Sequence, residues 1–258
     1  MPKPRIGMQL YSLREFETTE SDFAATMKRV SDIGYRTVQV SGVPNVDVRA
    51  IDRITRDHGL EIAATHVGWP RLLSDLDTVI QEHHLWNCRH AAIGSLPTEY
   101  YTKDGIERFD AELQPIAERL SAEGLTFSYH NHSHELIRFG DVTWLELLYR
   151  EISDAALKAE LDVYWLAHGG GDPAHWVRSY PGRQPLLHVK DMRVTLDREQ
   201  QFAPVGSGNL NWSAILEAAE AAGVEYALVE QDEFFDGRDP FEEIKASFDF
   251  LVAAGLHA

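Results

Sequence analysis

The chain has 258 residues, 44% hydrophobic and 25% charged, a composition that excludes intrinsic disorder and suits one large domain. Its 41 acidic and 24 basic side chains leave a net charge of −17, which excludes a phosphate-neutralising surface, so neither nucleic acid nor an anionic membrane is an expected partner. The lone Cys88 excludes an intramolecular disulfide, the opening Met1-Pro2-Lys3-Pro4-Arg5 carries no signal-like apolar stretch, and no run of about 18 apolar residues occurs, so the expected location is the cytoplasm.

Short strand-like runs alternate with amphipathic helical segments along the chain. The pattern predicts strand Arg5–Tyr11, helix Phe23–Ile33, strand Tyr35–Ser41, helix Val48–His58, strand Glu61–Val67, helix Leu72–His84 and strand Cys88–Gly94. It continues with helix Ile106–Ala122, strand Leu125–His130, helix Trp144–Ile152, strand Lys158–Val163, a helix opened by Asp172-Pro173, and strand Leu186–Lys190. Helix Trp212–Ala222, strand Tyr226–Glu230 and helix Phe241–Ala254 complete it. Gly34, Gly59, Gly124 and Gly223 fall where helix C-caps belong, and Asp172, Asn211 and Asp239 where N-caps belong.

Strands recurring roughly every 30 residues, each followed by a helix, predict parallel pairing closed into one (β/α)8 TIM barrel over residues 1–258. An open doubly wound sheet would normally carry a glycine-rich loop after its first strand. Here that position reads Tyr11-Ser12-Leu13-Arg14. The Gly169-Gly170-Gly171 run lacks the Lys-Ser/Thr of a phosphate loop and reads as a flexible connection.

A barrel works at the carboxyl ends of its strands. Almost every predicted strand ends on a polar residue: Gln9, Gln39, His66, Ser95, His130 to Glu135, Asp162, His188 to Asp191, and Glu230 to Asp232. Asp162 stands between apolar neighbours, and a buried carboxylate there needs a partner or a metal. His188, Glu230 and the string His130-Asn131-His132-Ser133-His134-Glu135 add ligand types from three further strands. Three carboxylates and a histidine suit a divalent ion bound largely by oxygen, Mn²⁺ or Mg²⁺ first, with Zn²⁺, Co²⁺ or Fe²⁺ as alternatives.

Five motifs, Tyr-His-Asn-His-x-x-Glu (129–135), Leu-Asp-Val-Tyr-Trp (161–165), His-Val-Lys-Asp-Met (188–192), Val-Gly-x-Gly-x-x-x-Trp (205–212) and Val-Glu-Gln-Asp (229–232), resemble the sugar phosphate isomerase/epimerase family of the xylose-isomerase-like superfamily. The resemblance runs along nearly the whole chain. It implies metal ligands at Glu135, Asp162, His188 and Glu230. His130 stands where ketose epimerases of the family carry a glutamate, so it is the alternative ligand or an acid–base residue.

The same resemblance implies a metal-dependent isomerase or epimerase acting on a small keto-sugar or related polyol through an enediolate. Glu230, His130 and Glu135 would be its catalytic residues, and His66, His132, Trp165, Lys190 and Asp191 would bind substrate. A lyase or dehydratase on a 3-keto-glycoside or inosose shares the first step and is the alternative; a non-catalytic sugar-binding barrel is the more remote one. An apurinic endonuclease, also a superfamily member, would need a basic face that the charge denies. The Val205–Gly208 segment offers backbone N–H groups to close over a substrate or phosphate. Relatives commonly form dimers and tetramers, so a homo-oligomer is also expected.

Overall fold

In a strand, residues two apart share a face, so the alternation along each strand decides what a closed barrel encloses. The computed structural model describes residues 2–43 and 45–258. Its barrel strands are β1 (Arg5–Gln9), β2 (Thr37–Val40), β3 (Glu61–His66), β4 (His90–Ile93), β5 (Thr126–His130), β6 (Lys158–Asp162), β7 (Leu186–Val189) and β8 (Tyr226–Val229). Each pairs in parallel with the next, and β8 closes on β1 through Arg5↔Tyr226 to Met8↔Val229.

The helices are α1 (Glu20–Ile33), α2 (Val48–Asp57), α3 (Trp69–Ser74), α4 (Leu76–Trp86), α5 (Lys103–Ala122) and α6 (Trp144–Glu151). They continue as α7 (Val163–His168), α8 (Pro173–Ser179), α9 (Trp212–Ala222) and α10 (Pro240–Ala253). Their apolar stripes pack on the outer face of the strands, as Ile51 and Ile54 of α2 and Leu113 and Leu120 of α5 do. Asp172, Asn211 and Asp239 cap their helices as the sequence predicts, and Asp47 caps α2 in the same way.

Three features depart from the predicted pattern. The segment predicted as one helix over Leu72–His84 breaks at Asp75 into α3 and α4. The first strand stops at Gln9, whose side chain caps a 3-10 helix over Leu10–Phe16. Two hairpins, Arg138–Phe139 with Val142–Thr143 and Asp191–Val194 with Gln200–Ala203, rise from the loops after β5 and β7.

Inside the barrel the alternation builds two layers. Ala64, Leu186 and Leu228 form a small apolar floor, separate from the main core. At Gly7 a Cβ would come within 2.6 Å of the Leu228 side chain, so this floor has no room for a larger residue there. Two residues further along the same strands stand Gln9, His66, His188 and Glu230, all on the carboxyl side.

Candidate active site

The upper layer is a continuous polar network. Gln9 Nε2 donates to Gln39 Oε1 at 2.8 Å, and Gln39 Nε2 donates to Glu160 Oε1 at 2.7 Å. Glu160 Oε2 lies 2.6 Å from His66 Nε2. His188 spans the barrel between Gln39 Oε1, 2.8 Å from Nε2, and Glu230 Oε2, 2.7 Å from Nδ1. Lys190, two residues on and pointing the same way, sets its ammonium 2.8 Å from Glu230, 3.0 Å from Asp232 and 3.2 Å from Asp162.

His130, Asp162, His188 and Glu230, from four adjacent strands, bring ligand-type atoms within 4.8 Å of one another. Asp162 is held from two sides: its backbone N–H donates to Asn131 Oδ1 at 3.0 Å, and its Oδ1 accepts from Trp165 N at 2.9 Å. The second oxygen, Oδ2, is buried without an aligned hydrogen bond despite the nearby ammonium, and His130 Nδ1 is likewise unpartnered. Buried polar atoms without partners are uncommon in folded proteins. A divalent cation would satisfy both, so these residues fit the metal that the motif pattern implies.

Two carboxyls and two cations here settle each other's charge. Burial pushes the Glu230 carboxyl up, but Lys190 and His188 outweigh it and hold it well below the usual carboxylate range. Burial also opposes charge on His188, yet Glu160 and Glu230 raise it to about 10. Glu160 shows the same balance, its burial overcome by His188 and His66, which bring it to about 2. Burial and the Glu230 charge raise Asp232 to about 7, against the pull of Lys190. Burial and then His188 hold His130 neutral, and burial and then Lys190 lower His132 to about 3.

A profile of the Xylose isomerase-like TIM barrel family matches residues 27–254, so the match takes in most of the chain. The chain belongs to this family. Among solved structures it resembles a sugar phosphate isomerase/epimerase from Parabacteroides distasonis, with 24% identity, TM-score 0.82 and coverage of 98% of this chain and 95% of that one. It also resembles an L-ribulose 3-epimerase, with 17% identity, TM-score 0.75 and coverage of 97% and 94%. A probable 3-DHS dehydratase from Bacillus anthracis aligns with 12% identity, TM-score 0.73 and coverage of 96% and 98%. At these identities the likeness shows the fold. No curated protein sequence matches the chain.

Against this family barrel, the residues expected from sequence fall into three places. Asp162, His188, Glu230, His130 and Lys190 meet in the cluster just described. His66, His130, His132, Lys190, Glu230 and Asp232 line a cavity of about 340 Å³ above it. Trp165 stands alongside, its ring 5.4 Å from that of His132 and 5.5 Å from the Lys190 ammonium.

Glu135 lies outside the four-residue group. It follows the end of β5 in a short 3-10 turn, where its carboxylate accepts from Tyr129 Oη and from His132 N, each at 2.9 Å. Its neighbours in ligand reach are His132 and His134, and burial raises it to about 7. His130 takes the place in the cluster that the motif comparison gives to Glu135.

Asp191, expected at the substrate, is not among the residues that line this cavity. Its fully buried carboxylate accepts from Gly206 N (2.9 Å), Gly208 N (2.9 Å), Trp212 Nε1 (2.6 Å), Met192 N (2.8 Å) and Leu210 N (3.3 Å). Those bonds also correct the expectation for the Val205–Gly208 segment, whose glycine N–H groups are engaged by Asp191 and not free for a phosphate. Glycine is needed there, since a Cβ on Gly208 would stand 2.4 Å from Asp191 Oδ1.

Glu160 enters the site without a motif to announce it. Its signal is spacing: it stands two residues before Asp162 on the same strand, so it shares that residue's inward face.

Proposed function

We propose that this protein is a divalent-metal-dependent isomerase or epimerase that moves a proton next to the carbonyl of a keto-sugar. The observation that carries this reading is the convergence of His130, Asp162, His188 and Glu230 next to a polar cavity that His130 and Glu230 line. These four side chains would hold the ion, His188 giving up a ring proton in doing so, with Mn²⁺ or Mg²⁺ favoured by the carboxylates. When bound, a divalent ion supplies Lewis-acid stabilisation of the negative charge that develops on the substrate oxygen.

The chain's own residues supply the rest. Glu230 is ionised across the physiological range and faces the cavity, so its carboxylate can take a carbon-bound proton. Lys190 holds that carboxylate in place at 2.8 Å and adds a fixed positive charge. With His130 in the ligand group, His66 and His132 are the imidazoles that line the cavity, and either, in its protonated form, could return a proton to the substrate carbon. Trp165 offers an aromatic edge for the apolar face of a sugar.

Metal content of the purified protein tests this, measured for wild type and for Asp162→Ala, His188→Ala and Glu230→Ala. The expected result is about one divalent ion per chain, lost in each variant without loss of fold. A wild type that stays metal-free after Mn²⁺ addition refutes the reading. Incubating the loaded protein with keto-sugars in D₂O then separates outcomes by NMR. Deuterium at a stereocentre marks epimerisation, deuterium at a new carbonyl neighbour marks isomerisation, and loss of a leaving group marks elimination.

A further inference from the structure

His188 stands between two groups of ligand-type side chains, and each of its ring nitrogens faces one of them. On the Nδ1 side lie Glu230 Oε2 at 2.7 Å and Asp162 Oδ2 at 3.9 Å. On the Nε2 side lies Glu160, with Oε1 at 3.4 Å; its Oε2 is in turn 2.6 Å from His66 Nε2 and 3.7 Å from His130 Nδ1. His66, His130, Glu160 and His188 bring ligand-type atoms within 4.8 Å of one another, as the group around Asp162 does. The barrel thus carries two overlapping ligand sets that share His130 and His188. The set with Asp162 and Glu230 has two imidazoles and two carboxylates, whereas the set with His66 and Glu160 has three imidazoles and one carboxylate. More carboxylate suits Mn²⁺ or Mg²⁺, and more imidazole suits Zn²⁺.

Gln39 separates the two sets. Its Oε1 lies 2.8 Å from His188 Nε2, the nitrogen that the imidazole-rich set would need. The direction of this amide is fixed from both ends. Its Nε2 faces the Glu160 carboxylate at 2.7 Å, which can only accept, and its Oε1 receives the Gln9 amide at 2.8 Å. Gln9 is turned in its own right by the Tyr11 backbone N–H, which donates to its Oε1 at 3.2 Å. All three side chains are fully buried. A carboxamide oxygen never donates, so His188 keeps its hydrogen on Nε2 against Gln39, and Nδ1 is the nitrogen it can present to a cation.

We infer that Gln39 is a positioning residue that sets the metal preference of this site. By occupying His188 Nε2 it closes the imidazole-rich set to a cation and directs the ion to Asp162 and Glu230. This rests on the metal reading above and deepens it. Gln9 and Glu160 act through Gln39, each holding one end of its amide.

Competition with a fluorescent chelator tests this, giving the affinities of metal-stripped wild type and Gln39→Leu for Mn²⁺ and for Zn²⁺. Leucine keeps most of the bulk and removes the acceptor. Loss of such an outer partner costs about 10–100-fold in metal affinity, so Mn²⁺ should bind at least about tenfold more weakly. Zn²⁺ should bind as tightly as in wild type or more so, because the variant opens the set with three imidazoles. A merely structural role would weaken both ions alike. Asp162→Ala should abolish Zn²⁺ binding in the wild-type background and leave it in the Gln39→Leu background.

Anomalous diffraction from Zn²⁺-loaded wild-type crystals decides even if the variant fails to fold, and the ion should sit on His188 Nδ1. An ion on Nε2, an equal loss of both affinities in Gln39→Leu, or affinities that do not change would each overturn the inference. A wild type that binds neither ion is a different failure, that of the metal reading itself, and it takes this inference with it.

Discussion

The sharpest test of how this site is built is Asp191→Asn, because two roles for Asp191 predict opposite results. If it touched substrate, the amide would weaken binding and leave the fold intact. In the structure its carboxylate instead gathers five N–H donors, three on Oδ2 and two on Oδ1. An amide keeps one acceptor oxygen, so whichever way it turns, at least two donors lose their partner and meet an N–H₂. Leaving a buried donor unsatisfied costs roughly 1–3 kcal/mol, so the variant should lose about 2–6 kcal/mol of stability. For a domain of this size about 2–4 °C of melting temperature accompanies each kcal/mol, which places the fall at about 4 °C or more. Thermal unfolding by circular dichroism reads this directly and needs neither metal nor substrate. A melting temperature within about 2 °C of wild type, together with weakened sugar binding, would refute the structural role.

Other buried charged groups have consequences of their own. Glu17 is buried with both oxygens unpartnered, and burial raises its carboxyl from 4.5 to about 9. A raised folded-state value means that the acid supports folding fully below about pH 4.5 and progressively less as pH rises toward 9. Glu17→Gln should therefore match wild type at pH 4 and exceed it by on the order of 3 kcal/mol at pH 7 in urea unfolding; equal stability at both pH values would contradict the burial argument. His130→Ala should weaken Mn²⁺ binding by more than about tenfold in competition with a fluorescent chelator, and Glu135→Ala by less, with the reverse order returning Glu135 to the ligand set. Lys190→Met leaves Asp162, Glu230 and Asp232 without their shared cation, so chelator-treated protein should lose about 3–5 kcal/mol, partly recovered by Mn²⁺. An unchanged melting temperature in chelator would show that the three carboxylates do not depend on Lys190.

How much of this is legible in the sequence turns on the two-residue alternation of strands. The barrel is legible because strand-like runs recur with glycine and Asp-Pro punctuation at helix ends, and those local signals agree with the global fold. The hairpin Asp191–Ala203 is not, because its turn uses Arg198 at φ +69° where a glycine or asparagine would have marked it. The break at Asp75 is hidden for a similar reason, since neither proline nor glycine interrupts the apolar pattern between Leu72 and His84.

The same alternation separates the site residues that sequence reasoning places well from those it misplaces. His188 and Lys190 share a face, so both point inward, and Asp191, one step on, must leave the cavity. Its place in the motif His-Val-Lys-Asp suggests substrate contact, but counting on from His188 in steps of two puts it on the scaffold side, and the five donors around it follow that count. Glu160 is the converse: no motif marks it, yet its spacing from Asp162 puts it inside the barrel, against His66 and Gln39. Glu135 escapes the rule altogether, because β5 ends at His130 and a 3-10 turn sets the direction of everything after it. There the contacts with Tyr129 and His132 decide, and no spacing in the sequence encodes them. A residue on a strand or directly continuing it can thus be assigned to cavity or scaffold by counting from a known ligand, whereas one carried past the strand by a turn can be assigned only by what it touches.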